Sequence, residues 1–202
     1  AHGAFAMTGG YICAVLVNNQ GWPFFAALPL AFVASAAIGG ALERTLYRHL
    51  YTRSHLDQVL FSIGLTFMSV AAVDYVMGSS RIFIKLPAAL EGQFDLFGVG
   101  IGRYRLMIIA ICGLLTLALQ LILSRTRFGS RLRAAVDDSR AAVGLGINVP
   151  QVFAFTFAFG CGLAGLGGAL SAEILGLDPY FPLKFMIYFL IVVTVGGSSS
   201  IT

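Results

Sequence analysis

Charge is scarce in this 202-residue sequence, since Asp, Glu, Lys and Arg together make up 11% of the residues, against about 25% in soluble domains. Residues of the set AVILMFWYC make up 58%, and there are 24 Gly. A folded chain of this size cannot hide so much apolar surface from water with so few charges to coat it. The same hydrophobicity excludes disorder. The composition therefore predicts a protein whose solvent is mostly lipid.

Patterns for metal ligands and disulfides are also missing. The three Cys (Cys13, Cys112 and Cys161) lie singly in apolar stretches, with no CxxC motif and no His beside them, so we interpret them as small core residues. The sequence has neither an HExxH motif nor the lysine motif of a P-loop. A literal GxGxxG at Gly160–Gly165 lies inside a hydrophobic run, with no strand before it. We predict no metal site, no cofactor and no hydrolysis of nucleotide by this chain.

Long apolar runs are what the sequence does have. A helix needs roughly 20 residues to cross a bilayer, and five of the six runs are long enough or nearly so, while the last is shorter: Phe5–Val17, Phe24–Leu42, Val59–Met77, Leu106–Leu123, Val152–Ala172 and Phe185–Val195. Open sheets cannot satisfy their backbone groups in lipid. We therefore predict an all-α, polytopic membrane protein with about six membrane helices in a single domain, 1–202. The short first and last runs fit either broken helices or a chain trimmed at both ends.

The 13 Lys and Arg residues predict how these helices are oriented. The links Glu43–Gln58 and Ser124–Pro150 carry eight of them, and the links on the opposite side carry five. Because cytoplasmic loops are richer in Lys and Arg, we place the first two links in the cytoplasm. This also explains the net charge of +4 without a nucleic-acid partner.

The link 78–105 is then extracytoplasmic. Arg81–Leu86 alternates between charged and apolar residues, Phe94–Ile101 is apolar with interspersed Gly, and PAALEGQ separates the two stretches. This pattern predicts a small β-hairpin on the outer surface. An unstructured loop is the alternative.

Small residues recur at every fourth position in several of the runs. The rows are Ala6-Gly10-Ala14, Ser35-Gly39, Ala36-Gly40 and Gly160-Ala164-Gly168. Small residues at this spacing let helix backbones approach closely in lipid, so we predict a tightly packed bundle.

The cytoplasmic stretch Arg127–Pro150 (RFGSRLRAAVDDSRAAVGLGINVP) is the most informative part of the sequence. It indicates a short amphipathic helix that Gly144 and Gly146 stop, with Pro150 starting the next span. The apolar side of this helix is formed by Leu132, Ala135, Val136, Ala142, Val143 and Leu145, and charged residues occupy the rest. Such a helix either docks into a groove on a partner or is a solvated surface helix. The periodicity alone leaves both readings open.

This stretch resembles the cytoplasmic segment of the permease subunits of branched-chain amino-acid ABC transporters, the LivH/LivM type. The matching residues are Gly129, Arg133-Ala134, Asp137 or Asp138, Ala142 and Gly146-Ile147-Asn148. Ala1-His2-Gly3 is similar to the end of an N-F-A-H-G signature, Glu43-Arg44 with Tyr47-Arg48 to an E-R-x-x-Y-R signature, and VTVGGSSSIT to V-x-G-G-x-G-S. Ser198-Ser199 departs from the commoner Gly-Ser. The resemblance spans nearly the whole chain and is closer to LivH.

The resemblance implies a permease subunit, not an enzyme, that crosses the bacterial inner membrane several times. The implied partners are a second permease subunit, two ATP-binding subunits that hydrolyse ATP, and a periplasmic substrate-binding protein. The implied solute is a small amino acid or amide, with branched-chain amino acids favoured. Urea, short amides and other amino acids remain open, as does whether the partner permease is identical or homologous.

The resemblance also assigns a coupling helix within Gly129–Asn148, in the coupling segment 124–150, that transmits nucleotide-driven movement to the membrane helices. Carried over by position, the residues facing the ATP-binding subunit are Gly129, Arg133, Ala134, Asp137, Asp138, Ala142, Gly146 and Asn148. We expect the substrate pathway near the start of the chain, where backbone amides at a broken helix end can contact a carboxylate. The residues chosen there are His2, Gly3, Thr8, Gly9 and Gly10.

The alternative function is an ATP-independent secondary transporter or channel. Such a protein should carry an ionisable residue at mid-span. The two candidates, Asp74 and Glu173, both lie near the ends of their runs, so we interpret them as interfacial anchors.

Overall fold

A computed structural model of the chain describes residues 2–50, 53–87, 90, 92–96 and 99–196. The described residues form two compact units, one from 1–85 with 157–202 and the other from 86–156. The helices and strands are α1 (His2–Asn18), α2 (Phe24–Leu42), a π-helical turn (Glu43–Tyr47), α3 (Arg48–Leu50), α4 (His55–Met77), β1 (Gln93–Leu96), β2 (Val99–Gly102), α5 (Arg103–Arg125), α6 (Arg127–Asp137), α7 (Ser139–Gly144), α8 (Val149–Leu175), α9 (Phe181–Lys184) and α10 (Met186–Gly196).

Four continuous helical stretches in the described part of the chain are long and apolar enough to cross a membrane. They are Phe24–Leu50, Leu56–Met77, Arg103–Arg125 and Val149–Leu175. The other two predicted runs correspond to α1, with 17 residues, and α10, with 11. At 1.5 Å per residue both fall short of a hydrocarbon core of roughly 30 Å. The nearly all-helical, multi-span fold agrees with the prediction, while the count of six spans stays a prediction.

Close helix contacts in the first unit gather around α1, which packs on α2, α4, α9 and α10. Glycine permits the closest approaches. A Cβ atom on Gly9 would overlap the backbone of Gly165 in α8, and one on Gly168 would overlap the carbonyl group of Ala6. A Cβ on Gly39 of α2 would overlap Cys161. Since only glycine lacks a Cβ, these positions let the backbones of α1, α2 and α8 approach each other.

The link after α4 differs from the predicted hairpin. β1 and β2 pair with each other in the register Gln93↔Gly102 to Leu96↔Val99, so both strands come from the second stretch of the link. Ile82 of the first stretch instead forms an antiparallel bridge with Leu177, with both N···O distances 2.8 Å. Parts of the predicted turn, at 88–89 and 91, lie outside the described residues.

Asn18 explains why the first stretch extends along the first unit instead. Its side-chain amide donates to the Phe83 carbonyl oxygen at 2.9 Å, and its carbonyl oxygen accepts from the Lys85 amide at 3.1 Å. These bonds and the bridge to Leu177 satisfy backbone groups of 82–85 that a hairpin would otherwise pair.

Candidate functional site

The predicted amphipathic helix is two helices in the structure, α6 and α7, which meet at Asp138. Asp138 has an extended backbone (φ −145°, ψ 98°), and its carboxylate accepts from the amides of Arg140 at 2.9 Å and Ala141 at 3.0 Å. A carboxylate that caps the free amides of a helix start competes with helix continuation. Asp138 therefore ends α6 and begins α7.

The end of this segment follows the prediction from its glycines. α7 ends at Gly144, and Gly146 has a φ of 80°, a conformation that side chains other than glycine rarely adopt. The amide of Ile147 donates to the Ala142 carbonyl at 3.1 Å, which closes the turn. The Asn148 side chain then accepts from the Gln151 amide at 3.2 Å at the start of α8.

One side of the segment is packed inside the second unit. Ala135 of α6, Ala142 of α7 and Val149 of α8 are buried in one cluster, against which Ile147 and Phe153 pack. The cluster joins α6, α7 and the start of α8 into a single packed piece.

The same piece is joined to the end of α5. The Arg133 guanidinium donates to the carbonyl oxygen of Leu123, one of the last carbonyls of α5. A Cβ on Gly129 would overlap that same carbonyl group, so the backbones of α5 and α6 can touch only because residue 129 is glycine. Arg133 and Gly129 thus hold the angle between the two helices.

The other side of the segment exposes apolar side chains. Val136 is 62% exposed, Val143 58% and Leu145 80%. The exposed charged side chains of Asp137 and Arg140 lie beside them in sequence. Exposed aliphatic side chains on a segment whose other side is packed give that segment an apolar surface that a partner can cover.

The eight residues assigned to coupling divide between these two sides. Gly129 and Ala142 are buried, Arg133 and Ala134 are half-buried, and Asp137, Asp138, Gly146 and Asn148 are exposed. Sequence reasoning put Val136 and Val143 on one apolar side with the buried residues. Each valine follows a buried alanine by one position, about 100° further round its helix, and both are exposed. The break at Asp138 is a separate feature, and an Asp followed by Ser-Arg-Ala is the signal that could have shown it.

The residues predicted for the substrate pathway lie on α1 in the first unit. Gly9 and Gly10 are buried in helix contacts, and a Cβ on Gly3 would come 3.1 Å from the Pro182 Cα atom. The Thr8 hydroxyl donates to the Ala4 carbonyl at 2.7 Å, inside its own helix. His2 lies at the edge of a cavity.

That cavity has a volume of about 520 Å³ and is lined by residues of α1, α8, α9 and α10. Its lining is almost wholly apolar and includes Phe181, Phe185, Tyr188 and Phe189. We call it the α8–α10 cavity. All three residues of the predicted packing row, Gly160, Ala164 and Gly168, line the cavity. Of its two glycines, Gly168 makes a close helix contact, whereas a Cβ on Gly160 would meet nothing within 4 Å.

A cluster of charged side chains forms around Asp178, which lies between α8 and α9. Asp178 is 8% exposed. Its Oδ2 atom pairs with the Lys184 ammonium and lies 3.8 Å from the Arg81 guanidinium. Its Oδ1 atom, like the hydroxyl of the buried Tyr11, has no hydrogen-bond partner among the described residues.

Comparison with known proteins now decides the family. The family model described as "Branched-chain amino acid transport system / permease component" matches residues 1–202. The chain belongs to this family.

Individual permeases show the same relationship. The chain is 29% identical to the high-affinity branched-chain amino acid transport system permease protein LivH of Escherichia coli (strain K12), over 89% of this chain and 62% of the relative. It is 31% identical to the permease protein BraD of Pseudomonas aeruginosa (strain PAO1), over 88% of this chain and 60% of the relative. It is 26% identical to a probable LivH of Methanocaldococcus jannaschii, over 84% of this chain and 55% of the relative.

The chain thus spans about three fifths of the length of the permeases it matches. No solved structure matches it. The resemblance to LivH-type permeases is confirmed, and the apolar helices fit transmembrane proteins. In the described part of the chain, no group of three or more His, Cys, Asp or Glu side chains is arranged to hold a metal ion. The segment similar to V-x-G-G-x-G-S lies partly outside the described residues.

Proposed function

We propose that the chain is a membrane-spanning permease subunit of an ABC importer in the bacterial inner membrane. Within this proposal, it carries a branched-chain amino acid or a related small solute, driven by ATP hydrolysis on partner subunits. Family membership and four helices of spanning length support it. The observation that carries it is the exposed face of Val136, Val143 and Leu145 on a segment that is packed rigidly onto two membrane helices.

This arrangement has the mechanical properties of a lever. α6 is joined to α5 through Arg133 and Gly129, and α7 is joined to α8 through the cluster around Ala142. A partner that grips the exposed face therefore moves the ends of both helices together, and rigid packed elements transmit such movements as rigid bodies. Val136, Val143 and Leu145 are each more than half exposed. Burying each of these side chains against a partner contributes roughly 1 kcal/mol to docking.

The residues that touch the ATP-binding subunit, in this proposal, are Val136, Asp137, Val143 and Leu145, with Asp138, Gly146 and Asn148 fixing their positions. Gly129, Arg133, Ala134 and Ala142 belong to the coupling segment as its internal supports. The charges on Asp137 and Arg140 favour one orientation of the partner on the docking face, because a wrong orientation would bring like charges together.

The proposed topology places the coupling segment 124–150 and the link Glu43–Gln58 in the cytoplasm, and the link 78–105 outside. It includes α1 and α10 among six membrane segments of a single permease domain. The proposed assembly comprises a second permease subunit, identical or homologous, two ATP-binding subunits and a periplasmic binding protein. The solute class includes urea, amides and other amino acids as alternatives to leucine, isoleucine and valine.

Leu145→Asp tests this proposal, because it puts a charge at the most exposed of the three aliphatic side chains of the docking face. In proteoliposomes that contain the complete complex, we expect substrate-driven ATP hydrolysis to fall at least tenfold, while the amount of permease in the membrane is unchanged. Ser139→Asp is the matched control, since it adds the same charge to the same segment at an exposed polar position.

Normal substrate-driven ATP hydrolysis in Leu145→Asp would refute the docking face. The alternative function has its own signature in the unaltered complex. Uptake that survives ATP depletion and collapses with the ion gradient would replace the ABC importer with a secondary transporter.

A further inference from the structure

The start of α6 is packed against two helices of spanning length, close to where their apolar runs end. A Cβ on Gly129 would overlap the Leu123 carbonyl group of α5, and the Arg133 guanidinium donates to the same carbonyl oxygen. The ring of Phe128 packs edge-to-face on Phe155 of α8, with 5.2 Å between the ring centroids. Leu123 is the last residue of the apolar run of α5. A helix held at this level lies at the surface of the bilayer.

This part of the chain is strongly basic. Arg125 ends α5, and Arg127 and Arg131 lie on α6. All three side chains are exposed. Residues 124–136 contain four arginines and no acidic residue, and the fourth arginine, Arg133, is the one bonded to α5. The start of α6 therefore carries an unbalanced positive charge beside the membrane.

The arginines of α6 lie on the side that its helix contact leaves free. Arg127 and Arg131 are four residues apart, so they share one side of the helix. Gly129 is two residues from each of them, which is about 200° around the helix axis. The side that carries the two arginines is thus opposite the side that meets α5, and the packing of α6 on α5 does not use them.

The described residues supply no counter-ion for this surface. Within that part of the chain, no ion pair includes Arg125, Arg127 or Arg131. The next acids of the segment, Asp137 and Asp138, follow Arg131 by six and seven residues, and the carboxylate of Asp138 already caps α7. The surface therefore matches an anion from outside the chain.

The adjoining bilayer offers such an anion. No residue in the most apolar stretch of α5 is buried, so the described structure leaves the side of this helix open to lipid. Arginine binds phosphate oxygens through two parallel N–H donors. Its apolar stem also lets the guanidinium reach the headgroups from a residue at the edge of the hydrocarbon. Each basic residue near an anionic membrane surface strengthens binding roughly fivefold.

We infer that Arg125, Arg127 and Arg131 form a binding site for the phosphate groups of anionic phospholipids, and that this contact holds the start of the coupling segment at the bilayer surface. The inference uses neither the solute nor ATP hydrolysis, so it goes beyond the proposed function. An acidic surface on a protein partner is the rival anion, and the test separates the two.

A phosphatidylglycerol analogue with a photoreactive headgroup tests the site in the complete complex, reconstituted in proteoliposomes. We expect covalent label within residues 125–131, at least tenfold more than from the matching phosphatidylcholine analogue, whose headgroup has no net charge. The label should decrease when the salt concentration is raised from about 0.1 M to about 1 M, because the screening length then falls from about 10 Å to about 3 Å.

The double variant Arg127→Gln/Arg131→Gln removes two charges from the exposed side of α6 and leaves its packed side unchanged. We expect it to lower the label at least tenfold, with the same amount of complex in the membrane. Arg127→Lys/Arg131→Lys is the matched control, since it keeps both charges and should keep most of the label. Arg140→Gln, at an exposed position of α7, should leave the label unchanged.

Three outcomes would overturn the inference. Equal labelling by the two analogues would show that α6 lies near lipid without selecting an anion. Unchanged labelling in the double glutamine variant would show that the arginines do not bind the headgroup. Absence of label at 125–131 in the complete complex would assign the arginines to a protein partner. A complex that labels as expected but shows no ATP-dependent uptake would refute the proposed function alone, and the lipid site would stand.

Discussion

Gly160 and Gly168 are eight residues apart on the same side of α8. The structure leaves room for a methyl group at Gly160 and none at Gly168. A Cβ on Gly168 would lie 2.8 Å from the Ala6 Cα atom and closer still to its carbonyl group, where ordinary contact begins at 3.4 Å. A Cβ on Gly160 would meet nothing within 4 Å. We predict that Gly168→Ala destabilises the permease and that Gly160→Ala does not.

The difference between the two variants isolates the cost of the contact. Both replace glycine by alanine inside one helix, so both gain the same helix propensity, roughly 1 kcal/mol. Gly168→Ala must also push α1 and α8 apart, and forcing extra volume into a packed contact costs about 1–3 kcal/mol. The free energy of unfolding of Gly160→Ala should therefore exceed that of Gly168→Ala by about 1–3 kcal/mol.

Titration of the purified protein with sodium dodecyl sulfate in mixed micelles measures these free energies. Gly9→Ala, on the other side of the same helix contact, should behave like Gly168→Ala because its Cβ would overlap Gly165. Equal unfolding midpoints for Gly160→Ala and Gly168→Ala would refute the packing of α1 on α8 described above.

Two further predictions concern the coupling segment. Gly129→Ala should cost about 1–3 kcal/mol of stability and lower substrate-driven ATP hydrolysis, because its Cβ would overlap the Leu123 carbonyl. Gly113→Ala, inside α5 with open space, should instead gain roughly 1 kcal/mol of helix propensity and leave ATP hydrolysis unchanged. Arg133→Glu removes the donor to Leu123, and Gly146→Pro forces a φ near −65° on a residue at 80°. Both should abolish uptake while leaving the subunit in the membrane, and normal ATP hydrolysis in either, measured with the reconstituted partners, would contradict the role of the segment.

Local sequence signals predicted the features that depend on neighbouring residues alone. Gly144 and Gly146 set the end of α7, because glycine weakens a helix and Gly146 adopts a positive φ that other residues rarely adopt. Pro150 sets the start of α8, because its ring fixes φ at a helical value. The six apolar runs each became a helix, since a helix satisfies its backbone within its own segment. The family resemblance followed from residues that adjoin one another in sequence, such as Gly146-Ile147-Asn148.

Features that depend on distant partners were not predictable in the same way. The spacing of Gly160, Ala164 and Gly168 predicted that all three pack against another helix. Two crossing helices touch only over a limited region, however, and α1 crosses α8 at Gly165 and Gly168. The strand pairing of 81–86 with 94–101 was displaced by Leu177 and Asn18, which are far away in sequence. The Asp178 cluster was not predicted at all, because Arg81 and its acid are separated by almost half the chain.

The sequence by itself determined the solvent of this protein, its helical character and its family, because composition and short motifs act locally and do not depend on how helices meet. Only the tertiary structure decided which side of α6–α7 is exposed, which glycines are closed by contacts, and which stand open in a cavity. The physical reason is that packing depends on two surfaces at once, and residues far apart in the sequence supply them. Val136 and Val143 are exposed although each follows a buried alanine in its own helix, and one helix crossing separates Gly168 from Gly160.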